Sequence, residues 1–275
     1  MNEKTPDWTI RPPGDPSLDG INWAGLKTLY AKEVKRFFKV QMQAVWAPAV
    51  TALLYFIIFT VAFGRGDREI LGVSFADFIG PGLVIMAMIQ NSFANASFSL
   101  LVGKIQGTIV DYLMPPLSIG ELIAGLVAAS VTRAFLVGGA VWLVLWLWPD
   151  VDMTPASIWP ILLFGFLGSL MLAFFGLMTS LWAEKFDHAA MVTNFVVAPL
   201  ALLSGTFYSV EALPETFQAA SYANPFFYVI SGFRYGFIGA ADSNVMFGAG
   251  LLTGLNVLLF FGCFALLKSG WKLRS

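Results

Sequence analysis

The sequence predicts an all-α membrane protein of six transmembrane helices, and three observations carry that reading. Hydrophobic residues make up 57% of the 275 and charged residues 12%, with a mean hydropathy of +0.74. A soluble domain of this composition would have more apolar surface than it could bury. Uncharged apolar runs long enough to cross a bilayer fall at 44–63, 78–102, 122–148, 158–183, 189–208 and 245–267, and Arg133 is the one charge inside them. Lys and Arg then gather on one side: five in 27–39, Lys104, Lys185 and three in 268–274, against Arg65, Arg68 and Arg234 opposite. Ten against three places both termini in the cytoplasm.

Taken in order, residues 1–20 hold four prolines, mixed charge and no apolar core of signal-peptide length. They read as a disordered cytoplasmic tail, so the first span serves as the insertion signal. Residues 21–43 place Trp23, Leu26, Tyr30, Val34 and Phe37 at helical spacing and Lys32, Lys35, Arg36 and Lys39 on a separate stripe. That pattern predicts an amphipathic helix in the headgroup layer, acting either as an anchor or as a lever on the first span. Trp46, Trp182 and Trp271 lie at inner span ends and Trp148 and Trp159 flank the outer turn between spans three and four, as indoles prefer at the two interfaces. The remainder, 21–275, is one membrane domain with short loops. It has no block of like charge and so no nucleic-acid partner.

Between spans two and three lies "GKIQGTIVDYLMPPLSIGE", residues 103–121. Ile105, Ile109, Tyr112 and Leu113 recur at helical spacing until Pro115 and Pro116 stop the helix. A short helix ending in "MPP", with Lys104 and Asp111 at its sides, suits a groove on another protein; the alternative is a connector tucked under its own bundle. After the fifth span, 209–243 form two helical candidates broken at Asn224 and Pro225. Phe226, Ile230, Phe233 and Phe237 share one face of the second, and Arg234 is expected to snorkel to the headgroups. The pair reads as an outer re-entrant hairpin, passive cap or part of a route; a complete seventh crossing over 224–239 would instead put the C-terminus outside.

The loop resembles the coupling helix of the ABC-2 family of export permeases through Gly107, Thr108, Asp111, Leu113, Met114 and Pro116. Asp111 stands where that family more often has Glu, and Tyr112 where it often has Leu. The resemblance continues through "FIGPGLVIMAMIQNSFANASFS", "PLALLSGTFYSVEALP" and "NPFFYVISGFRYGFIG", in the same order along residues 21–275. It implies a permease of the bacterial inner membrane that works as a homodimer with two copies of a separate ATPase. It also implies a hairpin at the outer mouth of an export route. The implied cargo is a polysaccharide, a lipid-linked or lipo-oligosaccharide molecule or a hydrophobic drug. No Gly-x4-Gly-Lys-Ser/Thr phosphate loop occurs, since the only Gly-Lys, at 103–104, precedes Ile105. ATP and Mg are accordingly expected on the partner, with no cofactor in this chain.

Path or gate candidates are few. Asn91 and Asn95 make an uncharged polar stretch with Ser92 and Ser97 in span two, suited to interhelical hydrogen bonds or to lining a path. Arg133 sits about 6 Å inside the boundary, shallow enough to snorkel, with a structural or gating role. Phe233, Arg234 and Phe237 join them on the hairpin. Cys263 is a packing residue, and His188 with Glu184 and Asp187 offers too few ligands for a metal. A membrane enzyme would need clustered His, Asp or Glu, and an ion-coupled carrier buried carboxylates; the spans contain neither.

Overall fold

The computed structural model describes residues 20–63, 69–149 and 151–272. The tail up to residue 19, Arg65, Arg68 and Arg274 lie outside the described residues. Among those described, six helices are long and apolar enough to cross a membrane: Met42–Ala62, Phe75–Ile105, Ile119–Trp146, Ile158–Trp182, Phe186–Leu203 and Val245–Ser269. The expected six spans are therefore present. The fifth starts earlier and stops earlier than its apolar run, because Ser204, Gly205 and Thr206 leave the helix, with Gly205 at φ +78°.

The chain opens with α1, Trp23–Phe38, capped by the Asn22 side chain, which accepts from the Gly25 amide. A π-helical turn, Met42–Trp46, leads into α2, Ala47–Phe63. Glu69–Ile70 and Val73–Ser74 pair as β1 and β2, a two-residue antiparallel ladder that hydropathy did not signal. Then come α3, Phe75–Ile105, the single turn α4, Val110–Leu113, α5, Ile119–Trp146, and α6, Ile158–Trp182. The fifth span joins α7, Phe186–Val192, a second π-helical turn, Thr193–Val197, and α8, Ala198–Leu203. The two expected hairpin helices are α9, Glu215–Ala223, and α10, Pro225–Ile238, and α11, Val245–Ser269, follows.

Both π turns are followed by Ala-Pro, at Ala47-Pro48 and Ala198-Pro199, and in both the alanine amide bonds five residues back, to Met42 and Thr193. A proline in a helix has no amide to give and its ring crowds the carbonyl four residues earlier, so widening the turn before it relieves the clash.

The helices differ sharply in how much of themselves they bury. In its most apolar stretch α3 is 83% buried and α5 and α6 are 61%, whereas the first, fifth and sixth spans are 22%, 17% and 22%. Glycines set the central spacing. A Cβ at Gly176 of α6 would stand 2.6 Å from the Phe93 carbonyl oxygen of α3, and one at Gly232 of α10 would stand 2.3 Å from the Phe164 ring of α6. Small residues of this kind let membrane helices approach backbone to backbone. Asn22, Pro116, Lys104, Ala183, Glu184 and Lys272 meet at one end of the bundle, hereafter the termini end. The opposite end, the far end, carries the β ladder, α9 and α10.

Candidate functional site

At the termini end α3 stops in a Schellman motif. Gly107 takes φ +72°, its amide bonds the Lys104 carbonyl at 3.3 Å and the Thr108 amide bonds the Gly103 carbonyl at 2.8 Å. The Gly-Thr pair seen in the sequence is thus the hardware that turns the chain out of the span. Then α4 makes one turn, with Asp111, Leu113 and Met114 exposed, the last two at 42% and 68%, beside exposed Pro115 and Pro116. An apolar tip left bare at a helix end suits a protein partner. Lys104 does not flank this tip as the sequence suggested. Its Nζ reaches across to donate to the carbonyls of Leu181 at 2.8 Å and Ala183 at 2.6 Å, capping the end of α6.

Tyr112 is the buried residue of α4. Its hydroxyl donates to Glu33 Oε1 at 2.9 Å, and Lys32 Nζ lies 3.6 Å from its ring centroid. Burial and the neighbouring Glu33 carboxylate push the Tyr112 pKa well above its ordinary value, so the hydroxyl stays a donor. Glu33 is 0% exposed and its Oε2 accepts from Arg36 Nη2 at 2.9 Å and Ser99 Oγ at 3.2 Å. Arg36 Nη2 also donates to the Asn95 carbonyl at 3.0 Å, and Asn95 Nδ2 to Ser130 Oγ at 3.0 Å. The fully buried residues of α1 are Leu29, Glu33 and Phe37; of the expected stripe Phe37 is among them, Leu26, Tyr30 and Val34 are half-buried, and Trp23 is 68% exposed. A period-based reading sets charged residues on the wet side; here an ion pair and a tyrosine satisfy the carboxylate inside. The start of α1 is pinned too, since Asn22 donates to Glu121 Oε1 and to the Pro116 carbonyl.

Asn91 and Asn95 both bridge helices. Asn91 Oδ1 accepts from Arg133 Nη2 at 2.9 Å, so Arg133 points into the bundle and not out to headgroups. Asn91 also borders a cavity of about 310 Å³ between α2 and α3, with Gln43, Thr51, Tyr55 and Gln90. The cavity lies beside the barely buried α2.

The far end corrects a second expectation. Arg234 is 1% exposed and does not snorkel. Its Nη1 pairs with Asp242 Oδ2 at 2.9 Å, Nε donates to the Phe78 carbonyl at 3.2 Å and Nη2 to the Gly205 carbonyl at 2.6 Å. Asp242 also accepts from Ser209 Oγ. A Cβ at Gly82 would stand 2.7 Å from the Thr206 carbonyl oxygen, so the glycine after Pro81 makes room for this junction. Three stretches distant in sequence, "FIGPG", "SGT" and "GFRYG", thereby converge on one guanidinium. Phe233 and Phe237 are buried beside it, with ring centroids 5.5 Å apart. Sequence reasoning missed Asp242 as the partner; a lone acid after an apolar helix holding a lone Arg was the available signal.

The profile of the ABC-2 type transporter family matches residues 24–238. The inner membrane transport permease YadH of Escherichia coli (strain K12) is 36% identical over 258 residues, covering 93% of this chain and 99% of that protein. Nodulation protein J of Neorhizobium galegae is 26% identical over 255 residues, covering 90% and 93%. Nodulation protein J of Rhizobium leguminosarum bv. viciae is 22% identical over 255 residues, covering 90% and 95%.

Proposed function

Because the chain belongs to the ABC-2 type transporter family, it is a membrane permease, and we propose how its geometry serves that role. It is a multi-pass inner-membrane protein and a transport subunit whose partner is an ATPase subunit. The termini end faces the cytoplasm, where Lys and Arg gather, and α1 lies in the headgroup layer. Loop 106–118 docks the ATPase, on which ATP and Mg are bound. Gly107 and Thr108 turn the loop out, Leu113, Met114 and Pro116 fill a groove, Asp111 meets a cation, and Lys104 fixes the base.

Two copies of the permease, with two ATPase subunits, enclose the route. The bare faces of α2 and of the fifth span, which carry Val50, Leu54, Ile58, Phe195 and Leu202, meet across the pair. The cavity beside Asn91 then faces the route, Asn95 and Arg133 sit at its inner mouth, and α9 and α10 form a re-entrant hairpin at the outer one. There Arg234 braces a wall of Phe233 and Phe237. The cargo is a lipid-linked, polysaccharide or otherwise hydrophobic molecule taken from the cytoplasm or inner leaflet.

The observation that supports this reading best is the bare apolar tip of α4, raised on a glycine turn. A cysteine at Leu113 is expected to crosslink to the co-purifying ATPase, and Leu113→Asp to weaken assembly roughly tenfold or more while leaving the permease inserted. Normal assembly of Leu113→Asp, with no crosslink from position 113, would overturn the docking assignment.

A further inference from the structure

A buried carboxylate costs stability unless something holds it, and apolar residues of similar size often do as well or better. Glu33 is fully buried on a helix that could have packed with leucine there, as Leu29 and Phe37 do one turn either side. What Glu33 holds is specific. One oxygen takes the hydroxyl of Tyr112, and the other takes the Ser99 hydroxyl of α3 and Arg36, whose same nitrogen reaches the Asn95 carbonyl of α3.

We propose that Glu33 is a positioning residue that clamps Tyr112, so that a displaced docking loop drags α1 and through it α2. This rests on the reading that the loop receives the ATPase. The chain joins α4 only to α3 and α5, the deeply packed helices, which are poor movers. By contrast α2 is 22% buried, borders the cavity beside Asn91, and follows α1 after a few residues. A greasy contact would let α4 slide along α1. A directional hydrogen bond at 2.9 Å, with Lys32 over the same ring, makes the two move as one. The clamp thus delivers movement to the span that borders the cavity most loosely.

The test needs no cargo. The permease–ATPase complex is reconstituted in lipid nanodiscs on a Cys263→Ser background, with labelled chains diluted by unlabelled ones. Spin-label pairs at Lys39 and Leu258, and at Met114 and Leu258, report the end of α1 and the docking tip. Each distance is read without nucleotide and with Mg-ATP. In the wild type both should shift by about 2 Å or more. In Tyr112→Phe, which keeps the ring over Lys32, the Met114 shift should persist and the Lys39 shift fall to less than about half. Glu33→Leu, which also releases Arg36 and Ser99, should lower the Lys39 shift at least as far, and adding Tyr112→Phe to it should lower it no further, because the Tyr112–Glu33 bond is already gone. A Lys39 shift unchanged by Tyr112→Phe, or one that falls only in step with Met114, overturns the clamp. A wild-type tip at Met114 that does not respond to nucleotide overturns the docking reading itself.

Discussion

The two ends of the molecule each draw an arginine into the bundle, and they treat it differently. At the far end Arg234 engages all three nitrogens, with a buried carboxylate against Nη1 and carbonyls on Nε and Nη2. At the termini end Arg133 has no carboxylate partner among the described residues, and its buried Nε finds no protein acceptor there. Arg36 likewise crowds its bonds onto Nη2 and leaves Nη1 buried without one. A fully satisfied buried ion behaves as a lock, because any movement strips it of partners that water cannot replace. A partly satisfied one loses less by changing partners. The far end is thus built to stay, and the termini end is built to rearrange.

The sharpest way to break that contrast is to remove the lock. Arg234→Leu leaves Asp242 charged and buried, and should cost about 3–5 kcal/mol, read as a large fall in Tm of the detergent-solubilised protein. Removing both partners in Arg234→Leu/Asp242→Leu should recover most of the loss, and a double variant as unstable as the single would refute the lock. A cysteine at 234 should also resist water-soluble reagents, the opposite of what a snorkelling arginine predicts. Next in size is Gly82→Val, which forces side-chain atoms against the Thr206 carbonyl and should cost about 1–3 kcal/mol. Arg133→Met removes the same residue type from the other end, yet should change stability by no more than about 1 kcal/mol, since the lost bond to Asn91 is offset by removing a poorly solvated charge. A loss as large as that of Arg234→Leu would erase the distinction. Smallest of all, Lys272→Ala breaks an exposed pair with Glu184 and should leave Tm within the scatter of repeat scans.

Much of this architecture is legible in the sequence because the bilayer enforces it. Six apolar runs became six helices, and Asn224-Pro225 broke the hairpin where a cap and a first-turn proline should. What could not be read were the charges that turn inward. Glu33 stands between Lys32 and the rest of the basic stripe, and the stripe pattern does not single it out, although Leu29 and Phe37 lie four residues to either side. Lys104 looked like part of the loop it precedes, yet its ammonium serves the end of α6. Arg234 looked destined for headgroups because its acid lies beyond the left-handed turn at Gly239. Each pairing is made by tertiary approach, which periodicity along one helix does not encode.

The two wide turns before Ala-Pro also act on angle. Ala44 and Ala49 are five residues apart, so on an ordinary helix they would point about 140° away from each other. Both are buried, at 3% and 1% exposed. A π turn absorbs one extra residue, which brings the separation down to about 40° and lets both look the same way. Ala189 and Val197 in the fifth span are buried likewise, at 1% and 0%. The second wide turn brings their separation from about 80° to about 20°. Pro48 and Pro199 therefore set the azimuth of two spans: restoring regular helix at either would rotate everything beyond it by roughly 100° and present a different flank of that span to its neighbours.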